Sequence, residues 1–391
     1  MKKITFVIPS RNNLEFLQLA YESIRRLGTV HEVLVLDDAS TDGTAEWIKK
    51  LADPDLITYV NEGPERIGIV GMFDKGIEMA RTDIIMAYHA DMVAGPNLDE
   101  NILKHLKKGT VVSATRVEPP LHPPGPEKIT MNFHIGKECE AHNFDWDAFY
   151  DWAENVGLND DKTTEGIFAP WCMYKEDFLA IGGHDELFAP QSKEDSDLFN
   201  RMQLAGYKFI QPWDALVYHF TSRGSRFNKH AGGAPGKNSE EWLGTTTKNM
   251  RNFIRKWGHS VRHDQYMKPI IPPKYDIGFI INQPNLQLIE ALEPWCSTIY
   301  CDEQFTIGRY ADYVEMEDTS YDLYEKFKPL DNEKQNGILI KIDGNTINQQ
   351  DFNYIQNFAE IIANDKELGE GTFQLGNLQI TIVHLKPIII K

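Results

Sequence analysis

At 391 residues the chain is long for one hydrophobic core, and a prior of about 150 residues per domain favours two domains. A composition of 41% hydrophobic, 11% aromatic and 25% charged residues is that of a globular protein and excludes a disordered chain. With 58 acidic and 40 basic residues the formal net charge is -18, which argues against nucleic-acid binding through bulk positive charge.

A phosphate-bearing ligand therefore needs a local basic patch or a metal ion. No apolar run approaches the ~18 residues of a membrane span, and the start MKKITFVIPSRNN lacks a signal-peptide layout, so a cytoplasmic chain with no transmembrane segment is expected. Cys139, Cys172, Cys296 and Cys301 show no metal-ligand spacing and read as reduced, buried thiols.

Strand and helix patterns alternate through the first half. Ile4–Ile8 is a short apolar run stopped by Pro9-Ser10, which predicts a buried strand. Leu14, Leu17, Tyr21, Ile24 and Leu27 mark one face of a helix ended by Gly28. Glu32–Leu36 predicts a second strand running into Asp37-Asp38, and Ser40, Thr41 and Asp42 offer caps for a helix carrying Ala45, Ile48 and Leu51. Ile57–Val60 is a third strand, Ile67 to Ala80 a helix, and Ile84–Tyr88 a fourth strand ending at His89-Ala90-Asp91. Such units imply a mostly parallel sheet flanked by helices, whose ligand crevice lies beyond the carboxyl ends of the strands. Those ends carry Pro9-Ser10-Arg11-Asn12, Asp37-Asp38 and His89-Ala90-Asp91.

Five prolines between Glu118 and Pro126 predict an extended loop, and Asn143–Gly157 is dense in aromatic and acidic residues. Its rings suit either stacking on a sugar or packing as an amphipathic helix. Residues 221–268 carry ten basic and three acidic residues and read as a basic lid followed by a helix. This divides the chain into a domain over 1–268, a linker over 269–275 and a smaller α/β domain over 276–391. In that last part Ile277–Ile281, Gly337–Ile342 and Ile380–Leu385 look like strands, Leu286–Leu292 and Gln350–Ile362 like helices, and no motif assigns a role.

Individually the polar groups have plain alternatives. Asp91 is a suitable ligand for a hard cation, or a loop acid capping a helix. Asp37-Asp38 either contacts a ligand or makes an Asx-turn. Glu194-Asp195 opens a helix where the macrodipole favours acids, and is equally a place to take a proton from a hydroxyl. His219 precedes the hydroxyl- and arginine-rich turn Thr221–Arg226.

Their order carries more. VIPSRNN at Val7–Asn13, LDDASTDGT at Leu36–Thr44 and the long stretch Gly68–Pro96 with its HAD are followed by Pro170–Glu186, KEDSDLFNRMQLAGYK at Lys193–Lys208 and VYHFTSRGSR at Val217–Arg226. Read together over about 220 residues, they resemble a family 2 inverting glycosyltransferase of the GT-A fold, a Rossmann-like α/β architecture; nothing after about residue 270 is covered.

The resemblance implies that Pro9, Ser10 and Arg11 hold the nucleotide and that Asp38 contacts uracil or ribose. Asp91 matches the last acid of the family's Asp-x-Asp motif, which binds metal and diphosphate. Asp195, beside Glu194, matches the catalytic base, and His219 an additional metal ligand. His89 replaces the first acid and joins or weakens the metal site, and Asp74 stands where Asn is common. Arg223, Arg226 and Lys229 are expected to close over the donor phosphates as part of a mobile lid, and Arg66 is a further donor-binding candidate. The implied function is transfer of a sugar from a nucleotide sugar, with UDP favoured, to the hydroxyl of a carbohydrate or glycoconjugate, assisted by Mn2+ or Mg2+. The alternatives are a non-catalytic carbohydrate-binding module and a nucleotidyltransferase making sugar nucleotides. The latter is disfavoured because strand one lacks a glycine-rich phosphate turn.

Overall fold

A computed structural model of the chain describes residues 2–136, 139–155, 161–224, 226–302, 310–365 and 368–389. Two compact units emerge, one of Met1–Thr246 with His263–Pro269, the other of Thr247–Arg262 with Ile270–Lys391. The expected boundary at residue 268 is therefore corrected: residues 247–262 group with the second unit. The reason is electrostatic, because Arg251 and Arg255 within them pair with Glu293 and Glu317.

The first unit is built on strands β1 (Ile4–Ser10), β2 (Glu32–Asp38), β3 (Leu56–Asn61) and β4 (Ile84–Ala87), mutually parallel in the order β3-β2-β1-β4. β10 (Trp171–Tyr174) runs antiparallel between β4 and β6 (Thr110–Ser113), and β11 (Lys208–Pro212) returns parallel to β6. Helices α1 (Leu14–Arg25) and α3 (Gly68–Met79) contribute Leu17, Ala20, Ile24, Met72, Phe73 and Ile77 to the core. β1, β2 and β4 are almost wholly buried, as strands covered on both faces must be. The parallel arrangement matches the GT-A layout implied by the motifs. One local expectation changes: the helix after β2, α2 (Thr44–Ile48), is capped by Gly43 at φ +92, while Asp42 binds Leu14 N–H and the Thr44 hydroxyl.

A second, four-stranded sheet has the order β5-β12-β7-β8, from Met92–Ala94, Leu216–His219, Thr115–Glu118 and Ile129–Thr130. Phe133, Phe144, Phe149 and Phe220 form one cluster with Tyr218 of β12. The aromatic segment is thus core: Phe149 on helix α5 (Trp146–Asn155) is fully buried, and Arg26 lies 4.2 Å over the Trp146 ring.

In the second unit β13 (Ile277–Asn282), β14 (Thr298–Cys301), β15 (Phe327–Pro329) and β16 (Ile338–Asp343) are parallel, and β18 (Leu378–Ile382) and β17 (Gly371–Leu375) close a six-stranded sheet as an antiparallel hairpin. The expected helix over 350–362 is two helices, Gln349–Gln356 and Phe358–Asn364, meeting at Asn357. No helix among the described residues is long and apolar enough to cross a membrane.

Glu293 is fully buried and accepts from Arg255 and Lys326 at 2.6 Å and from Tyr313 at 2.7 Å. Burial opposes its ionisation, but Lys326 and Arg255 outweigh burial and hold its carboxyl at about 2. Removing one partner of such a pair leaves buried cations uncompensated, so Glu293→Ala is expected to cost about 3–5 kcal/mol in urea unfolding of the second unit. Because the folded value is depressed, the carboxylate's contribution is present above the ordinary 4.5 and fades as pH falls towards 2. The variant should lack that acid-side loss.

Candidate active site

The strand order reverses between β1 and β4, and their carboxyl ends border a cavity of about 330 Å³ in the first unit. Pro9, Ser10, Arg11, Asp38, Arg66, His89, Asp91, Glu194 and His219 all line it. Asp195, Arg223 and Arg226 do not.

Asp38 closes β2 and is 4% exposed. Its Oδ1 accepts the Ile67 N–H at 2.8 Å and the Asn61 amide at 2.9 Å, and its Oδ2 accepts the Gly68 N–H at 2.8 Å. One lone pair on Oδ2 is left for a ligand. Gly68 is required here: its φ is +90, and a Cβ would lie 2.5 Å from the Pro190 backbone.

Asp91, also 4% exposed, accepts the Arg223 N–H at 2.8 Å through Oδ2, while Oδ1 stands 3.6 Å from His219 Nε2. Ligand atoms of His89, Asp91 and His219 all lie within 4.8 Å of one another. Two imidazoles and one carboxylate within that reach form a donor set suited to a divalent transition ion. Burial lowers the His89 pKa, and the charges of Asp91 and Asp195 act against that. The neutral, ligating form of the ring is favoured.

Helix α7 (Glu194–Leu204) brings the acidic pair. Glu194 is 8% exposed and its Oε2 is buried without a hydrogen-bond partner. Burial and the neighbouring Asp195 charge push its carboxyl up to about 8. Asp197 is instead committed to Arg201 at 2.8 Å. The backbone is strained on both sides of the cavity: Ser192 and Lys193 have φ of +79 and +73, and Thr221 and Ser222 +62 and +63. Non-glycine residues hold such angles, at about 1–3 kcal/mol each, where the surroundings impose them.

The basic side chains divide. Arg11 and Arg66 face the cavity and share Glu241, whose carboxylate lies 3.4 Å from Arg11 and closer still to Arg66. Arg223 reaches the Cys139 carbonyl and Glu140, and only its backbone N–H serves Asp91. Arg226 binds Asn238 at 2.6 Å over the Trp242 ring, and Lys229 pairs with Glu15. Ser10 Oγ, Arg11 Nε and Asn13 Nδ2 are buried at the cavity without partners, as in a site that awaits polar ligand atoms. Sequence reasoning missed Glu241 and Trp242, at the start of helix α8 (Glu240–Trp257), and Glu118 behind His219. Glu241 reads as an ordinary first-turn acid, and Glu118 only as the start of a proline-rich loop. Asp74 accepts the N–H and ring Nδ1 of His184.

A raised carboxyl binds its proton in the folded state over a pH range where the unfolded chain has lost it, so Glu194 lowers stability as pH rises from 4.5 towards 8. Glu194→Gln keeps the shape and should remove that decline, giving a flatter stability profile over this range in denaturant unfolding.

Residues 5–159 match the family model Glycosyl transferase family 2. The undecaprenyl-phosphate mannosyltransferase of Micrococcus luteus is 27% identical over 120 residues, 30% of this chain and 49% of that protein. The chain thus matches about half the length of this curated relative. Among solved structures, GalNAc-T7 with UDP, GalNAc and Mn2+ aligns at TM-score 0.46 and 12% identity, over 68% of this chain and 49% of that one. The mannosyltransferase PcManGT from Pyrobaculum calidifontis, in complex with GDP-Man and Mn2+, aligns at TM-score 0.40 and 20% identity, over 64% and 62%. S. aureus TarS 1-349 with UDP-GlcNAc aligns at 0.41 and 14%, over 57% and 60%. The match to the glycosyl transferase family 2 model thus runs from β1 past the HAD motif and the proline-rich loop.

Proposed function

We propose that the chain transfers a sugar from a nucleotide-diphosphate sugar, with UDP as the favoured nucleotide, to an acceptor hydroxyl with inversion at the anomeric carbon. The observation that carries this reading is the convergence of Asp38, His89, Asp91, Glu194, His219, Arg11 and Arg66 on one cavity. A divalent cation, Mn2+ or Mg2+, would be held by Asp91, His219 and His89 and would screen the diphosphate charge.

Arg11 and Arg66 exchange the Glu241 carboxylate for phosphate oxygens, so the cations are already in place and only their counter-ion changes. The Oδ2 lone pair of Asp38 takes one donor hydroxyl or ring N–H. Ser10 and Asn13 supply the unpartnered polar atoms described above. Asp195, one residue beyond the lining Glu194, accepts the proton of the acceptor hydroxyl as its oxygen bonds to the anomeric carbon. The bond from that carbon to the diphosphate oxygen breaks in the same displacement, and the nucleoside diphosphate leaves with the electron pair. Glu194, kept protonated by burial and by its neighbour, avoids placing a second charge beside the base.

The test is a product assay over a panel of sugar nucleotides with Mn2+. Release of nucleoside diphosphate is expected, and Asp195→Asn should lower it by about 10²–10⁴-fold while donor affinity stays within two-fold of wild type, on the order expected for loss of a general base. Release of pyrophosphate from a nucleoside triphosphate and a sugar 1-phosphate, supplied in a parallel reaction, instead marks a nucleotidyltransferase, activity in neither reaction marks a binding module, and full turnover in Asp195→Asn removes the assigned base.

A further inference from the structure

Three strands of the second sheet set a row of side chains across it. β12 pairs with β5 so that His219 lies opposite Met92, and Phe220 N–H reaches the Asp91 carbonyl at 3.0 Å. On its other side β12 runs parallel to β7 with Tyr218 opposite Val117, which brings His219 beside Glu118. Asp91, His219 and Glu118 are thereby aligned by backbone register alone.

Glu118 is 3% exposed. Its Oε1 lies 2.8 Å from His219 Nδ1 and 3.5 Å from Arg116, and its Oε2 takes the Lys128 ammonium at 2.8 Å. Lys128 is itself nearly buried, its side chain 8% exposed. Two cations at its oxygens keep this carboxylate ionised, and an ionised carboxylate only accepts hydrogen bonds. His219 Nδ1 must therefore donate to it. In the neutral ring the lone pair then sits on Nε2, the atom that faces Asp91 Oδ1 at 3.6 Å.

We propose that Glu118 is a positioning residue: it holds His219 as the Nδ1–H tautomer, with Nε2 presented beside Asp91 and His89 as a donor to a divalent cation. The proposal rests on the cation reading of the site given above. Partners of this kind orient metal-binding imidazoles and raise their basicity, and losing one weakens metal affinity by about 10–100-fold. Arg116 and Lys128 have a definite part as well, since they fix the carboxylate that fixes the ring.

The experiment is Mn2+ titration calorimetry on the full chain, alone and with inorganic pyrophosphate, for wild type and Glu118→Gln. Wild type should bind, and Glu118→Gln should bind about 10–100-fold more weakly. Equal affinity in the two proteins overturns the positioning role and leaves the cation site standing; no binding by wild type removes the site and this proposal with it. Because Glu118→Gln strands Lys128 and can fail to fold, a second measurement reads wild type, with His219→Gln used only to assign the ring. Nitrogen-15 spectra of histidine-labelled protein, metal-free and Mg2+-loaded, with the His219 ring assigned by its loss in His219→Gln, should show a proton on Nδ1. An unprotonated Nδ1 overturns the proposal whatever the titrations give.

Discussion

Buried negative charge is the constraint around which the first unit is organised. An acidic chain places Asp38, Asp91 and Glu194, each less than a tenth exposed, on the walls of one small cavity. Three carboxylates out of water on one cavity cannot all stay charged and unpartnered. Each is relieved differently: Asp38 by two backbone N–H groups and an amide, Asp91 by the Arg223 N–H, and Glu194 by keeping its proton. The result is a site whose charge is already balanced locally, with its basic side chains held in reserve on Glu241.

Backbone register does most of the assembly. The switch between β1 and β4 opens the crevice, and the pairing of β5, β12 and β7 sets Asp91, His219 and Glu118 side by side. Side chains more than a hundred residues apart in the chain meet because they occupy matched positions at strand ends. The left-handed pairs Ser192-Lys193 and Thr221-Ser222 lie directly before Glu194 and just after His219, two residues that line the cavity.

Much of this is legible in the sequence. Apolar runs such as Ile4–Ile8 and Ile84–Tyr88 announce strands covered on both faces, and acids or histidines directly after them fall at the crevice by topology. What is hidden depends on register or on long-range pairing. Glu118 closes strand β7, and only the pairing of β7 with β12 in the second sheet sets it beside His219. Arg223 and Arg226 look like phosphate ligands in the turn after His219, yet their side chains are committed to Cys139, Glu140 and Asn238. The domain boundary was hidden for a similar reason: helix α8 is continuous in sequence, and the Arg255–Glu293 pairing assigns its last turns to the second unit. In that unit β15 and β17 escape prediction because Phe327–Pro329 is only three residues long and Gly371–Leu375 is a largely exposed edge strand.

The most direct test of the account is whether a donor diphosphate enters this cavity through a cation at Asp91. Thermal unfolding of the wild type and of Asp91→Ala, with UDP-sugars in the presence and absence of Mn2+, measures it, since a ligand at 100 times its Kd adds about 2.7 kcal/mol. Stabilisation that requires Mn2+ and disappears in Asp91→Ala is the predicted result. Stabilisation of equal size without Mn2+, or undiminished in Asp91→Ala, would contradict it.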